Sequence, residues 1–429
     1  MIDINIIRTN RKLVEDNLKK KYQESKLPVL DEIIELDKKV RELKINGDNL
    51  RKERNQTSDE IGLLYREKKV EEANSKKERV KTINETLVDI EKEEEELSVK
   101  LKQLMMTIPQ IIDDSVPIGK DDSENVEIEK FGEPIVPKYE IPYHADILES
   151  ISGLDKEASG RTSGNGFYYL MGDAARLSSA MLSYARDFMI EKGFTYCIPP
   201  FMIRSNVVSG VMSFAEMENM MYKIEGEDLF LIGTSEHSMI GKFKDQIIKE
   251  SSLPITMTSY SPCFRKEVGA HGIEERGIYR VHQFEKQEMI VICKPEESMD
   301  WYNKMWSFTV ELFRNMEIPV RTLECCSGDL ADLKVKSCDI EAWSPRQQKY
   351  FEVGSCSTLG DAQARRLGIR SKGENGTYYL DTLNNTVLAN TRALIALIEN
   401  NYNEDGSINI PKVLRPYMGG KEIIVPNQR

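Results

Sequence analysis

The sequence predicts an α+β protein in two parts: an N-terminal antiparallel coiled-coil hairpin of α-helices, then an antiparallel sheet flanked by helices. Three observations carry this. Composition changes near Pro109: the stretch before it is charged and almost free of glycine and proline, and glycine, proline and aromatic residues recur after it. Apolar residues before the change have coiled-coil spacing. After it, strand-like runs follow one another at hairpin spacing rather than in strict alternation with helices. The 429 residues exceed what one simple core needs. We divide them into a helical domain at 1–109 with an arm at about 31–105, a linker and domain start at 110–155, and a main domain at 156–429.

The arm is read from its seam. Val80, Ile83, Leu87, Ile90, Glu94, Leu97, Leu101 and Leu104 are spaced 3-4-3-4-3-4-3, with Glu94 as an acidic interruption. Upstream, Ile33, Leu36, Val40 and Leu43 start the same rhythm, Gly47, Leu50, Arg54 and Thr57 weaken it, and Ile61 and Leu64 resume it. A polar turn near Val70–Ser75 would join two arms of roughly 45–50 Å at ~1.5 Å per residue. Such a hairpin is either a dimerisation coiled coil or a lever that reaches a partner. Near the tip, Arg66, Lys68, Lys69, Lys76, Lys77, Arg79 and Lys81 outnumber Glu67, Glu71, Glu72 and Glu78. That excess suits a phosphate backbone, with solvated surface as the plainer alternative.

Composition excludes several classes. A net charge of −12 argues against a non-specific nucleic-acid coat, though not against a local basic patch. Seven scattered cysteines, with Cys325 and Cys326 adjacent and no C-x-x-C, support neither a zinc ribbon nor a redox motif. The odd count without a signal peptide predicts a reducing, cytoplasmic setting. No apolar run approaches ~18 residues, so no membrane span is expected.

In the main part, Leu177, Met181, Tyr184 and Phe188 share one face of a helix that Gly193 stops. "TYCIPPFMI" reads as extended and broken at Pro199–Pro200. "DLFLIGTSE", "ITMTSYSPCFRKE", "RVHQFEKQEMIVI" and "KYFEVGSCS" read as strands, and "NTRALIALIENNY" as a buried helix. Neither a dinucleotide-binding glycine fingerprint nor a phosphate-binding G-x-x-x-x-G-K-[ST] loop is present.

Four segments are suited to chemistry. "CFRKEVGAHGIEERGIYRVHQFEKQEM" is a hairpin of two polar strands around a loop with Gly269, Gly272 and Gly277. Its Arg265 suits a phosphoryl group, Phe284 a flat ring, and Glu267 and Glu288 amines. So many polar groups on adjacent strands are costly unless a ligand satisfies them. In "GTSEH", Thr234 and Glu236 fall on one side of an extended segment and suit an ammonium group. In "FEVGSCS", Glu352 and Ser355 are hard oxygen ligands of the kind Mg²⁺ prefers. Arg392 opens a helix, where an arginine is unfavourable unless it binds an anion or folds back onto an acid.

These segments, in this order, resemble the class II aminoacyl-tRNA synthetases. "TYCIPPFMI" is similar to motif 1, with Pro200 as its proline. "FRKE…RVHQFEKQE" is similar to motif 2, and "NTVLANTRALIALIEN" to motif 3, with Arg392 as its arginine. Within the class, "RVHQFEKQEM", "GTSEH", "SCSTLGDAQARR" and "LRKERNQTSDEIG" resemble the seryl-tRNA synthetases. "MYKIEGEDLFLIGTSEH" and "VLRPYMGGKEII" resemble their archaeal and eukaryotic branch.

The resemblance implies activation of L-serine with ATP and Mg²⁺, then transfer to tRNA(Ser), with tRNA(Sec) an open second acceptor. It implies Arg265 and Arg392 as catalytic. It implies a serine pocket of Thr234, Ser235, Glu236, Arg265, Glu288, Asn384 and Thr386. ATP would meet Arg265, Lys266, Glu267, Val281, Phe284, Glu352, Val353, Gly354, Ser355 and Arg392, and Glu352 and Ser355 would hold Mg²⁺. A rare zinc-dependent form of the family finds no matching ligand set among these cysteines, so no zinc is expected. A homodimer that packs across motif 1 and binds tRNA through the arm is implied too. Two alternatives stand beside this: an RNA-binding paralogue without catalysis, and a ligase that loads amino acids onto a carrier protein.

Overall fold

The heptad spacing becomes two long antiparallel helices, α3 (Leu27–Arg66) and α4 (Val70–Met105), preceded by the short α1 (Ile4–Thr9) and α2 (Arg11–Lys20). The computed structural model describes residues 1–267, 277–374 and 376–427. Ile2–Lys19 and Gln23–Ile108 form one compact unit; Met1, Lys20–Tyr22 and Pro109–Arg429 form the other.

Within the arm, Leu30, Ile33, Val40, Ile83 and Leu87 are buried in the seam. Gly47, Thr57 and Ala73 are also buried, so the positions that weaken the apolar pattern keep its phase. Their small size lets the helices approach. Glu94 lies 3.7 Å from Lys44 of the opposite helix. Asp37, buried at the base, takes Arg8 Nη2 at 2.6 Å and Arg41 Nε at 3.0 Å. Burial pushes its carboxyl up, but the two guanidinium groups outweigh burial and hold it below the usual range. Lys39–Glu93, Arg51–Glu91, Arg79–Glu53 and Lys100–Glu32 pair across the arm. Exposed pairs contribute about 1 kcal/mol or less each, so they select register more than they hold the helices together.

The turn lies at 67–69, with Lys68 at φ 62°, and not at 70–75 as the polar residues suggested. Glu71 and Glu72 instead open α4, where negative charge favours a helix start. The arms are therefore longer than expected. Their 40 and 36 residues span about 60 and 54 Å at ~1.5 Å per residue. At the tip, Lys69, Lys76 and Arg79 pair with Glu67, Glu60 and Glu53. Arg66, Lys68 and Lys81 form no ion pair among the described residues.

The second unit is built on an eight-stranded sheet. Its strands are β1 (Val126–Phe131), β2 (Thr195–Cys197), β3 (Ile255–Phe264), β4 (Gln283–Cys293), β5 (Val320–Glu324), β6 (Lys336–Ser344), β7 (Lys349–Thr358) and β8 (Asp381–Ala389). Their order is β1-β5-β6-β7-β8-β4-β3-β2, antiparallel throughout except for β2 on β3. The helices that matter here are α5 (Gly172–Glu191), α6 (Ser205–Val211), α7 (Ser235–Gly241), α8 (Ser298–Asn315), α9 (Ala362–Leu367) and α10 (Asn390–Asn400).

Alternation along β4 shows how both sheet faces are covered. Met289, Val291 and Cys293 join a core with Met181 of α5, Phe313 of α8 and Leu394 of α10. Ile290 and Ile292 join a second core with Met239 and Ile240 of α7 and Leu367 of α9. As predicted, α5 buries Leu177, Met181 and Phe188, and Gly193 follows it at φ 87°. The stretch 110–155, read as a linker for want of periodicity, supplies β1 and a helix at His144–Ser150. β1 is an exposed edge strand, so it lacks the apolar alternation that marks a buried one. Gly269 and Gly272 of the motif 2 loop lie outside the described residues.

A Cβ added at Gly47 would sit 3.7 Å from Ile90 Cγ2, an ordinary contact. Gly47→Ala should therefore stabilise the arm by about 1 kcal/mol, the cost of glycine inside a helix. Urea unfolding followed by far-ultraviolet circular dichroism reads this; a lower midpoint would mean that the seam does not accept the methyl group.

Candidate active site

Two bulges shape the opening in the sheet. On β7, Glu352 pairs with Glu341 and Gly354 with Ile340, so Val353 is an extra residue. The extra residue brings Glu352 and Ser355, three apart, to the same side. On β8, Thr386 pairs with Glu288 and Leu388 with Gln287, leaving Val387 extra. β7 and β8 pair only over Cys356–Thr358 and Leu383–Asn385 and part beyond. A cavity of about 410 Å³ lies there, a size suited to a small molecule.

Two arginines line it. Arg265, just past the end of β3, stacks 5.2 Å over the Phe284 ring, and its Nε donates to the Gly233 carbonyl at 3.2 Å. Arg392, in the first turn of α10, donates from Nη1 to Glu352 Oε2 at 2.8 Å and stacks 4.6 Å over Tyr279. Of the two roles open to it, the structure has it folded onto an acid. Burial pushes the Glu352 carboxyl up, but Arg392, with Lys334 and Arg265, holds it below the ordinary carboxylate range. Glu267 sits at φ 45° in the left-handed region and meets Arg280 at 3.0 Å.

A hydroxyl, carboxylate and amide cluster lines the same cavity. Thr234 and Glu236 do not lie on an extended segment. Thr234 caps α7, its Oγ1 accepting the Glu236 N–H at 3.4 Å, because a threonine oxygen satisfies an otherwise unpaired helix donor. Thr234 Oγ1 donates to Glu288 Oε2 at 3.3 Å. Asn384 Nδ2 donates to Glu236 Oε2 at 2.8 Å and lies 3.5 Å from Glu288 Oε1. Lys286 forms a close ion pair with Glu288. Burial, then the Glu288 charge, pushes Glu236 up to about 7. Burial, then Arg265, pushes His237 down to about 3, so its ring is neutral.

The motif 2 strand is polar on both faces for two reasons. Arg280 to His282 precede β4 rather than belong to it. Phe284, Lys286 and Glu288 face the cavity and its floor. On the other face, Glu285 accepts from Tyr260 and Gln287 Nε2 donates to Thr258 Oγ1 at 2.7 Å.

Thr234, Glu236, Arg265, Glu267, Val281, Phe284, Glu352, Val353, Gly354, Ser355, Asn384, Thr386 and Arg392 all line the cavity. Glu288 lies beneath it, fully buried. Two candidates do not line it. Ser235 is turned inward, and Lys266 Nζ reaches the Glu218 carbonyl at 3.2 Å instead. Sequence reasoning passed over Lys286, although its two-residue spacing from Phe284 and Glu288 signals the shared face. It also passed over Tyr279 and Asp339, which only register and loop placement bring in. Cys325, Asp329 and Asp339 have ligand atoms within 4.8 Å of one another, a grouping the spacing did not reveal. Burial and the Asp339 charge push the Cys325 thiol up.

Residues 1–112 match the family model described as the seryl-tRNA synthetase N-terminal domain, and 220–401 the tRNA synthetase class II core domain (G, H, P, S and T). A serine–tRNA ligase of Thermococcus sibiricus is 42% identical over 100% of this chain and 99% of its own length. The chain belongs to the seryl-tRNA synthetase family. A member from Methanoculleus marisnigri is 38% identical over 99% of this chain and all of its own. The crystal structure of seryl-tRNA synthetase from Pyrococcus horikoshii complexed with ATP superposes with a TM-score of 0.94 at 39% identity, covering both chains fully. The cytoplasmic serine–tRNA ligase from Naegleria fowleri in complex with AMP gives 0.88 at 28%, covering 100% of this chain and 99% of that one.

Arg392→Ala in this synthetase should leave Glu352 without its counter-ion. Glu352 is partly exposed, so the loss is about 1 kcal/mol after screening. Its depressed pKa means that the pair stabilises above the usual carboxylate range and ceases to as acid protonates Glu352. Melting temperatures of variant and parent should thus differ at neutral pH and converge in acid; a pH-independent gap would assign the loss to packing.

Proposed function

We propose that this cavity condenses L-serine with ATP to seryl-adenylate and pyrophosphate, then transfers serine to the 3′-terminal adenosine of tRNA(Ser). The activity is that of a serine–tRNA ligase. One observation carries the reading: two guanidinium groups and a hydroxyl–carboxylate–amide cluster line the same small cavity.

The serine carboxylate is ionised at neutral pH, so no protein base is needed to attack the α-phosphorus. Arg265 neutralises the α-phosphate and Arg392 the γ-phosphate end, and in-line placement of the carboxylate supplies the rest of the rate. Phe284 stacks on adenine, Glu267 and the Val281 backbone meet its edge, and Val353 and Gly354 complete the ATP contacts; Lys266 would join them only by leaving the Glu218 carbonyl. Thr234, Glu236, Glu288, Asn384 and Thr386 form the serine pocket, and Ser235 is buried outside its lining. Their buried polar groups would go unpaired with alanine, which rejects it, whereas rejecting threonine needs a steric wall. Glu352 and Ser355 fit Mg²⁺: both offer oxygen, the bulge at Val353 aligns them, and Glu352 is held ionised. Bound there, the ion would add positive charge beside the phosphates. Zinc is not invoked.

The arm at 31–105 binds the tRNA, with Arg66, Lys68 and Lys81 as cations that form no ion pair among the described residues. The protein works as a cytoplasmic homodimer, packed through the motif 1 segment, whose Ile198 and Met202 are exposed at 69% and 47%. No helix among the described residues is long and apolar enough to cross a membrane.

Amino-acid-dependent pyrophosphate exchange across all twenty amino acids tests the reading. Serine alone should support exchange. No exchange with any amino acid would favour an RNA-binding paralogue, and exchange with another amino acid would reassign the pocket. Deleting 31–105 should spare exchange and abolish tRNA charging. The shortened chain can close, because Lys26 Nζ meets the Thr107 carbonyl at 2.7 Å where the helices begin and end. Charging that survives the deletion would take the tRNA role from the arm.

A further inference from the structure

We infer that Gln363, which no ligand touches in the reading above, is the positioning residue that holds Glu236 as a hydrogen-bond acceptor and thereby sets affinity for serine. The inference rests on the cavity being a serine site. It deepens that reading by assigning a control point behind the pocket.

Gln363 is the second residue of α9 and fully buried. Its amide is saturated. Oε1 accepts from Thr382 Oγ1 at 2.6 Å, and Nε2 donates to the Val211 carbonyl at 3.1 Å and to Glu236 Oε1 at 2.8 Å. The Val211 carbonyl can only accept, so the nitrogen end of the amide must be the end that meets Glu236. Asn384 Nδ2 donates to the other carboxylate oxygen at 2.8 Å. With a donor on each oxygen, an ionised Glu236 uses both bonds. A proton added to either oxygen would compete with a donor already there. The remaining lone pairs therefore present an acceptor to the cavity, matched to an ammonium or hydroxyl group.

The same short helix also fixes the wall of the cavity. Val211 and Met212 line it at the end of α6. Arg366, three residues after Gln363, donates from Nη1 to the Ser209 and Met212 carbonyls at 3.0 and 2.8 Å. α9 thus ties wall and carboxylate together, with Gln363 bonded to both.

Opposing charges face Glu236. From β4 come Glu288, which raises its pKa, and Lys286, which lowers it; Lys334, ahead of β6, also lowers it. On its own helix, His237 is neutral. Arg366 of α9 is turned to the α6 carbonyls. Burial leaves the carboxyl near 7, and the Gln363 bond acts to keep it lower. Removing that bond must raise it, so that protonation competes with serine at higher pH.

Three variants test this in the full-length protein: Gln363→Met, of equal length without donors; Gln363→Glu, which turns the donor into an acceptor; and Thr382→Val, which frees the amide without touching Glu236. Serine-dependent pyrophosphate exchange would be measured against pH, with KM for serine and ATP and a melting temperature for each. Gln363→Met should raise serine KM about tenfold, leave ATP KM within about twofold, and move the acid limb of kcat/KM for serine up by about one pH unit. Gln363→Glu should shift both the same way and further, since two facing carboxylates must share a proton. Thr382→Val should give a smaller shift in the same direction. An acid limb that stays in place in all three, or serine and ATP KM values that rise together, would overturn the inference while leaving the serine reading intact. A parent protein without serine-dependent exchange would overturn both.

Discussion

One unpaired residue in β7 governs the chemistry of the sheet. A strand alternates sides at every residue, so groups three apart belong on opposite faces. Val353 breaks the count, and Glu352 and Ser355 come to one side as a result. Val387 does the same for β8. Because both strands bulge where they part, the sheet opens a polar cavity without giving up the two apolar cores packed on its faces. The covering helices and the antiparallel order keep that opening in place.

Charge in the cavity is arranged in mutual compensation. Arg392 holds Glu352, Arg280 holds Glu267, and Lys286 holds Glu288. Each pair would have to part before either member could meet a ligand alone. Binding then becomes an exchange of partners rather than the burial of bare charge, which would be far more costly. Were an anion to draw Arg392 away, Glu352 would at the same moment lose its partner. The long arginine and lysine stems permit this, and the aromatic faces of Tyr279 and Phe284 keep the guanidinium planes oriented meanwhile.

Much of this was legible in the chain. The heptad seam, the antiparallel sheet and the buried helix α10 follow from periodicity, because each element buries one face or both. Arg265 and Arg392 stand out because charged groups on a strand or at a helix start demand a partner, and Phe284 because a ring among polar residues can stack on a flat ligand. The misses share a cause. The expected arm turn falls late because Val70–Ser75 is polar, yet its acids occupy the first turn of α4. The edge strand β1 was read as linker because an exposed edge carries no burial pattern. Thr234 and Glu236 were assigned a strand, since a capping threonine and a strand threonine look alike in sequence. Gln363 was invisible because its importance lies in three partners that are remote in sequence or on other elements.

The arm has a geometric consequence. At its base α3 is tied to α1 through Arg8 and Asp37 and to α2 through Arg11 and Asp31, and α4 packs against it along the seam. Over a reach of about 60 Å, a tilt of about 5° at that base displaces the far end by about 5 Å, the width of a nucleotide step. The cations at the end therefore owe their aim to salt links a full arm's length away. Angular slack there would change which part of a polyanion they meet, with every local contact at the tip unaltered.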